Sequence, residues 1–390
     1  MVAKKVPLLF AALVSALTAF ALSACSSGTA EPIRGPAVAL QDDHLALPQE
    51  APEPRIELLA GTGVKVTRFD ILWQDVAPTR PQNGADPADP AYDFSHIDRV
   101  VKGLQKFGIT PIVSVFSAPV WATGGRSDGD RLPEYNSRLP DPAAFGEFME
   151  ALSRRYGGRY PGADGKPLPR VRYWELWNEP NLSIFLSPQL DNHGNMVSPA
   201  GYARLVRSAY PRVKRGGGPG TVVLVGASGP TSSTYKRNHA SAISAADWLE
   251  ELRRLDVPLD AYSQHIYPSA APAAQTDLKP SWSTVGDFLA ALDRWRPGLD
   301  LYITEAGYTT QSTDARPYSF VSEDRQARYL RDIFALPQVK DPRVRVIVWF
   351  NMQDNLQWTA GLLRFNGSRK PSYEAFRDVA TRPGQRPLTE

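Results

Sequence analysis

The sequence predicts an α/β chain built as a single (β/α)8 barrel, and three observations carry that expectation. From Pro36 onward, short apolar β-branched runs alternate eight times with longer amphipathic segments. The runs are almost continuously hydrophobic, as strands are when protein covers both faces. No G-x-G-x-x-G opens a helix and no G-x-x-x-x-G-K-[ST] occurs, so the signatures of the competing doubly wound nucleotide fold are missing. At 390 residues the chain could hold two average domains, but a closed α/β barrel uses such a length as one unit.

Taken in order, Ala37–Leu40 reads as a weak first strand, followed by a short helix near Pro54–Ala60. Val64–Asp70 is the second strand. Its helix, Phe94–Phe107, repeats Ile97, Val100, Val101, Leu104 and Phe107 at helical spacing. Ile109–Phe116 is the third strand, and its helix Asp141–Tyr156 opens with Asp-Pro, a cap followed by a first-turn proline. Val171–Trp177 and Pro199–Lys214 form the fourth pair, Thr221–Val225 and Ala245–Leu255 the fifth, and Leu259–Tyr267 and Val285–Trp295 the sixth. Leu301–Thr304 with Glu323–Leu336, and Val344–Phe350 with Ser372–Val379, complete eight. The run Gly216-Gly217-Gly218-Pro219-Gly220 resembles a phosphate loop, but it lies between a helix and the next strand and reads as a turn.

With 42% hydrophobic, 22% charged and 10% aromatic residues the composition is globular, neither disordered nor collagen-like. A net charge of +3, from 44 basic against 41 acidic residues, argues against nucleic acid as a partner. The 35 prolines and 29 glycines announce many ordered loops, where sites tend to sit.

Lys4 and Lys5 precede an uncharged stretch from Val6 to Ala24, the charged and apolar regions of an export signal. The stretch is barely long enough to span a bilayer, which leaves a retained anchor helix as the alternative. The only cysteine, Cys25, follows Leu22-Ser23-Ala24, and this segment resembles the lipobox of bacterial lipoproteins, which implies a lipidated cysteine at the mature N-terminus. Ala19-Phe20-Ala21 offers a competing ordinary cleavage site. We therefore expect a signal segment at 1–25, a flexible tether at 26–36 and a barrel at 37–385. One cysteine cannot form an internal disulfide, so ordinary core packing must hold the fold.

Reacting groups of an α/β barrel sit at the carboxyl ends of its strands. Two such ends hold a glutamate: Tyr173-Trp174-Glu175-Leu176-Trp177-Asn178-Glu179-Pro180-Asn181 after strand four, and Leu301-Tyr302-Ile303-Thr304-Glu305-Ala306-Gly307-Tyr308 after strand seven. Cleaving an acetal needs a proton for the leaving oxygen and a nucleophile or activated water at the anomeric carbon. Two carboxyl groups, one protonated and one ionised, supply both.

The WNEP run after strand four and the strand-seven glutamate resemble the clan of (β/α)8 retaining glycoside hydrolases. The longer WELWNEPN and the segment RFDILWQDVAP…YDFSHID are most similar to glycoside hydrolase family 39, with family 5 second. The resemblance implies Glu179 as acid/base and Glu305 as nucleophile. It further implies Asn178 on the sugar 2-hydroxyl, Arg68 keeping the nucleophile ionised, and His265 and Tyr267 beside it. Trp349 matches the aromatic floor beneath the sugar. Glu175 reads as a structural partner of a cation such as Arg68. Asp70, Trp73, Trp121 and Trp177 divide between cleft and packing, and Trp248 and Trp295 read as core.

His44, His96, His193 and His239 are scattered, and no H-E-x-x-H or Cys/His cluster exists, so neither metal nor cofactor is expected. Long βα loops at Ser117–Pro140, Asn181–Ser198, Ala227–Ser244 and Pro268–Thr284 would build a groove. Family 39 β-xylosidases carry a further β-sandwich after the barrel, and its absence from this sequence favours endo action on an envelope or extracellular polysaccharide. The expected partners are a carbohydrate and, through lipid on Cys25, the outer face of a bacterial membrane, with the protein a monomer. A tethered carbohydrate-binding protein with little turnover, or a transglycosylase using the same residues, are the other readings.

Overall fold

The computed structural model describes residues 1, 35–125, 136–237, 240–276, 280–313 and 320–388. The expected signal segment with Cys25, most of the tether and His239 lie outside them. Among the described residues no helix is long and apolar enough to cross a membrane.

β1 (Ala37–Gln41) leads through α1 (Pro52–Gly61) to β2 (Val66–Leu72), and a one-turn α2 (Trp73–Val76) precedes α3 (Ser95–Lys106). β3 (Thr110–Phe116) is followed by α4 (Pro142–Arg155), and β4 (Tyr173–Leu176) by α5 (Ser198–Gly217). β5 (Val222–Ser228) is followed by a hairpin, β6 (Tyr235–Arg237) and β7 (Ala240–Ala242), and then by α6 (Ala245–Arg254). The last three units are β8 (Ala261–Ile266) with α7 (Val285–Trp295), β9 (Leu301–Ala306) with α8 (Glu323–Ile333), and β10 (Val344–Trp349) with α9 (Pro371–Ala380). Eight parallel strands close in the order β1-β10-β9-β8-β5-β4-β3-β2. The expected (β/α)8 barrel is therefore the fold.

Local chemistry explains the helix starts. Asp141 accepts the Ala144 amide at the head of α4, Ser244 the Asp247 amide at α6, and Ser322 the Arg325 amide at α8. Arg154 and Arg155 in the last turn of α4 complement the negative end of its dipole.

Several boundaries differ from expectation: β9 runs on through Glu305 to Ala306 instead of ending at Thr304, and β2 spans Val66–Leu72 rather than Val64–Asp70. The fifth barrel strand runs past Val225 to Ser228, because Gly226 and Ala227 take positive φ (119° and 38°) and shift the register rather than ending the strand. β4 stops at Leu176, one residue short, since Trp177 turns away with φ 77°. The β6–β7 hairpin was not expected.

Side chains alternate between the two faces of each strand. One set, including Phe69, Val113, Trp174 and Val225, packs against the helices, where each large apolar side chain contributes about 1.5–3 kcal/mol on burial. The other set fills the barrel. Its lower part is apolar, with Ala37, Ala39, Val66, Ile112, Leu224 and Val346, and Leu388 of the C-terminal segment joins it from beneath. The Tyr173 hydroxyl donates to the Leu388 carbonyl. Two residues further along, the interior turns polar and stays buried: Arg68, Ser114, Glu175 and Ser263. The barrel thus has an apolar floor and a charged upper half.

Candidate active site

Arg68, three residues into β2 rather than at its end, organises the upper half. Its side chain has no exposed surface. The guanidinium donates from Nε to Glu175 Oε2 (2.7 Å), from Nη1 to Gln41 Oε1 (2.6 Å) and Glu305 Oε1 (2.8 Å), and from Nη2 to Asn178 Oδ1 (2.8 Å). A planar fork can hold this many acceptors where an ammonium could not. Glu175 is the structural partner that the sequence suggested.

Glu305 sits in β9, nearly buried, with both oxygens engaged. Arg68 holds Oε1, and the Tyr267 hydroxyl donates to Oε2 at 2.7 Å. Burial raises its pKa first of all, and Glu179 and Asp70 add to that. His265 and Arg68 pull it back, and the net position is above the ordinary carboxyl value. Arg68 therefore acts in the expected direction without fully offsetting desolvation.

Glu179 follows β4 in a left-handed turn of φ 39°, and its backbone N–H is tied to the Ala227 carbonyl at 2.9 Å. The carboxyl is half-buried. Gly229 leaves room for it, since a Cβ there would stand 3.0 Å from Glu179 Cδ. His265 Nδ1 lies 2.9 Å from Glu179 Oε1 and 3.4 Å from Glu305 Oε2. Nε2 of the same ring makes no hydrogen bond, so the proton that a neutral imidazole must carry belongs on Nδ1, facing both carboxyls. Burial disfavours a charged His265, yet Glu305 and Glu179 outweigh it and the net pKa is raised. One oxygen of each glutamate and a nitrogen of His265 all lie within 4.8 Å of one another.

The structure corrects one site assignment. Trp349 cannot be the floor beneath a sugar, because Val346 and Val348 line the interior and the strand pleat turns Trp349 outward into the helix layer. It is almost fully buried and donates Nε1 to the Ala360 carbonyl at 2.9 Å. The half-buried Phe350, one residue on, is the one that meets Tyr267, edge-on at 6.2 Å, and Trp358 meets Tyr267 at 4.6 Å. A count of period two from Val346 could have found Phe350.

Of the other tryptophans, Trp73, Trp177 and Trp248 are packed in the core, whereas Trp121 and Trp295 keep exposed surface. Trp73 is buried and stacks on Phe148 at 5.3 Å, while Trp177 is buried with Nε1 on the Phe185 carbonyl. Trp121 is half-buried, edge-on to Trp73, with Nε1 on the Ala77 carbonyl. Trp248 is buried against Tyr202, whereas Trp295 is only half-buried and reaches Asp256. Asp70 belongs to β2 and lies 3.3 Å from Arg68 Nη1.

Residues that sequence reasoning missed come from strand one and the loop after strand eight. Gln41 links Arg68 to Asp43 and Asp70. Asp43 accepts from Gln41 Nε2 (3.1 Å), Asn351 Nδ2 (2.9 Å) and Asn355 Nδ2 (3.1 Å). The available signal was polar residues at the carboxyl end of the weak first strand.

Fold and site together define a class: a closed parallel α/β barrel with two facing glutamates at its mouth. The model of glycosyl hydrolases family 39 matches residues 41–281, and the chain belongs to that family. A β-xylosidase of Caldicellulosiruptor saccharolyticus is 25% identical over 325 residues, covering 76% of this chain and 58% of the relative. A β-xylosidase of Geobacillus stearothermophilus is 28% identical over 298 residues, covering 70% and 50%. The chain therefore spans a little over half the length of these relatives. The solved structure of a family 39 glycoside hydrolase from Bacteroides cellulosilyticus WH2 matches with a TM-score of 0.59 and 19% identity, over 89% of this chain and 64% of that one. That likeness concerns the fold.

Proposed function

We propose that the chain is a retaining O-glycoside hydrolase acting on β-linked oligo- or polysaccharide, with Glu305 as nucleophile and Glu179 as general acid/base. One observation carries the reading: carboxylate oxygens from strands three places apart around the ring stand within 4.8 Å of each other. Double displacement uses carboxyl groups about 5–5.5 Å apart, whereas inversion needs about 6.5–9.5 Å to admit a water between them. Both curated relatives named above are β-xylosidases, which supports the β linkage.

In the first step a lone pair of Glu305 attacks the anomeric carbon while Glu179 passes its proton to the departing oxygen. When Glu179 is protonated, one charge that raises the Glu305 pKa is gone, and the Arg68 and Tyr267 hydrogen bonds then favour the ionised nucleophile. Ester formation removes the charge on Glu305, which makes Glu179 easier to ionise. Glu179 can then take a proton from water as that water releases the sugar. His265, with Nδ1–H between the two carboxyls, orients Glu179 in both steps.

A 2-deoxy-2-fluoro glycoside with a good leaving group tests the reading by trapping the ester on Glu305. Glu305→Ala is expected to fall to background. Glu179→Ala is expected to lose about 10²–10⁴-fold on substrates with poor leaving groups and to regain activity with azide, giving a glycosyl azide of retained configuration. Near-wild-type rates in both variants would sink the assignment. We also propose export with lipid on Cys25, supported by the Lys4-Lys5 region, the apolar stretch and Leu22–Cys25. Labelled palmitate should enter the chain and not its Cys25→Ser variant.

A further inference from the structure

The glycine run 216–220 closes α5 and turns the chain into β5, and arginines crowd around it. Arg159 Nη1 lies 3.9 Å from where a Cβ on Gly218 would stand, and Arg172 Nη2 3.2 Å from one on Gly220. Arg170 donates to the Pro219 carbonyl and, at 3.2 Å, to Thr221 Oγ1, while Arg172 donates to the Gly220 carbonyl at 3.3 Å. Glycines bring the ends of α4 and α5 together here, since a Cβ on Gly157 would stand 2.8 Å from the Gly216 carbonyl oxygen. Between the two helix ends lies a cleft of about 450 Å³ whose walls include Glu150, Arg154, Arg159, Tyr160 and Arg215.

The charge of this patch is not balanced. Arg212 and Arg215 meet a carboxylate, and it is the same one, Glu150, at 4.0 and 3.2 Å. Arg154 donates to the Ala85 carbonyl, Arg170 and Arg172 donate to the turn, and Arg159 makes no hydrogen bond or ion pair with any described residue. Other cations at this end of the barrel are paired: Lys214 with Asp260 at 2.8 Å, Arg296 with Asp256 at 3.2 Å and Arg343 with Asp293 at 2.8 Å. The whole chain carries a net charge of only +3, so the excess is local. Helix dipoles ask for about half a positive charge at each C-terminus. Arg155 and Lys214, in the last turns of α4 and α5, meet that need, and Arg159, Arg170 and Arg172 lie outside both helices. Guanidinium forks without carboxylates are suited to phosphate.

We propose that this arginine patch docks on the phosphates of an anionic phospholipid surface, with the barrel floor toward the bilayer and the mouth away from it. Its place in the fold selects a membrane among phosphate carriers. α4 and α5 run back against the parallel strands, so they finish at the floor end, beside the starts of β4 and β5. The chain enters the barrel at that same end, through Ala37 in the apolar floor. With lipid on Cys25, residues 26–36 hold the floor within about 40 Å of the bilayer even when fully extended. An anionic leaflet then attracts basic side chains that come within a Debye length, about 8–10 Å. The docking builds on the proposed lipidation of Cys25: the lipid supplies nearness, and the patch supplies orientation.

The test measures partition of the full chain carrying Cys25→Ser, which removes the lipid, into vesicles of phosphatidylcholine alone or mixed with phosphatidylglycerol, at about 0.1 M salt. Neutral vesicles register what the apolar N-terminal stretch contributes, and the preference for anionic ones registers the patch. Each arginine near an anionic surface is worth about fivefold in partition. Arg159→Ser, which breaks no bond, should therefore lose about fivefold on anionic vesicles, and the triple variant Arg154→Ser/Arg159→Ser/Arg215→Ser about a hundredfold. Partition into neutral vesicles and the thermal midpoint should stay as they were. Salt at about 0.5 M should erase the preference. Equal partition of the parent chain into both vesicle types, or a triple variant that keeps the preference, overturns the docking surface. Millimolar inorganic phosphate that removes the preference at constant ionic strength assigns the cleft to free phosphate and overturns it as well. If labelled palmitate fails to enter the chain while the anionic preference holds, the lipidation falls and the docking surface stands. Palmitate labelling without any anionic preference has the opposite meaning.

Discussion

At Arg68, a guanidinium with no exposed surface holds Glu175 at the bottom of the network and Glu305 at the top. Removing it leaves Glu175 without its cation and Glu305 with His265 alone, so Arg68→Met should cost about 3–5 kcal/mol in a urea titration and abolish turnover. Adding Glu175→Gln should return part of the stability and none of the activity. If the double variant were no more stable than the single one, the ion pair would not be what fastens β2 to β4. Asp43 supplies a pH signature. Its folded pKa of about 8 stands above the ordinary 3.8, so between those values the folded state binds more protons than the unfolded. Stability from this group accordingly falls as pH rises from about 4 to about 8, and the penalty is complete above that. In Asp43→Asn that slope disappears, and the gap in thermal midpoint between variant and wild type should widen from pH 4 to 8 and then level off. A gap constant across that range counts against the shift.

At the scale of elements, the turn after β4 depends on β5 for its shape. Glu179 hangs from the Ala227 carbonyl, and its carboxyl lies over Gly229. Gly229→Ala puts a methyl 3.0 Å from Glu179 Cδ and closer still to Leu182. On the proposed role of Glu179 as acid, the expected result is a fall in kcat of at least about tenfold with little change in thermal midpoint, because its displacement is a geometric fault and not a packing one. An unchanged kcat would show that Leu182 and the loop absorb the added carbon. The eight strands were legible because continuous apolar runs leave few alternatives. The hairpin β6–β7 was not, because Tyr-Lys-Arg and Ala-Ser-Ala have no apolar alternation and lie against Leu182 rather than on a core. Trp349 was misread by one residue, since a strand pleat reverses the facing of every side chain at each step. The glutamates were legible from strand order, but the left-handed turn at Glu179 and the bracing of Asp43 by Asn351, over three hundred residues away, are tertiary facts.

For the whole molecule, barrel closure gathers side chains from β2, β8, β9 and the turn after β4 into one cluster that no two of them could form alone. Nothing covalent holds that closure, since the chain has one cysteine. A reducing agent should leave the unfolding midpoint unchanged. Packing must carry the load from both ends, and at the lower end part of it comes from the last turn of chain. Leu388 sits among Ala37, Val66 and Val346, with its carbonyl on Tyr173. It works as a cork. Shortening the polypeptide by a few amino acids at that end would uncork the cylinder and let solvent climb toward the Arg68 network, so an expression clone trimmed before position 388 should melt earlier although Glu179 and Glu305 are intact.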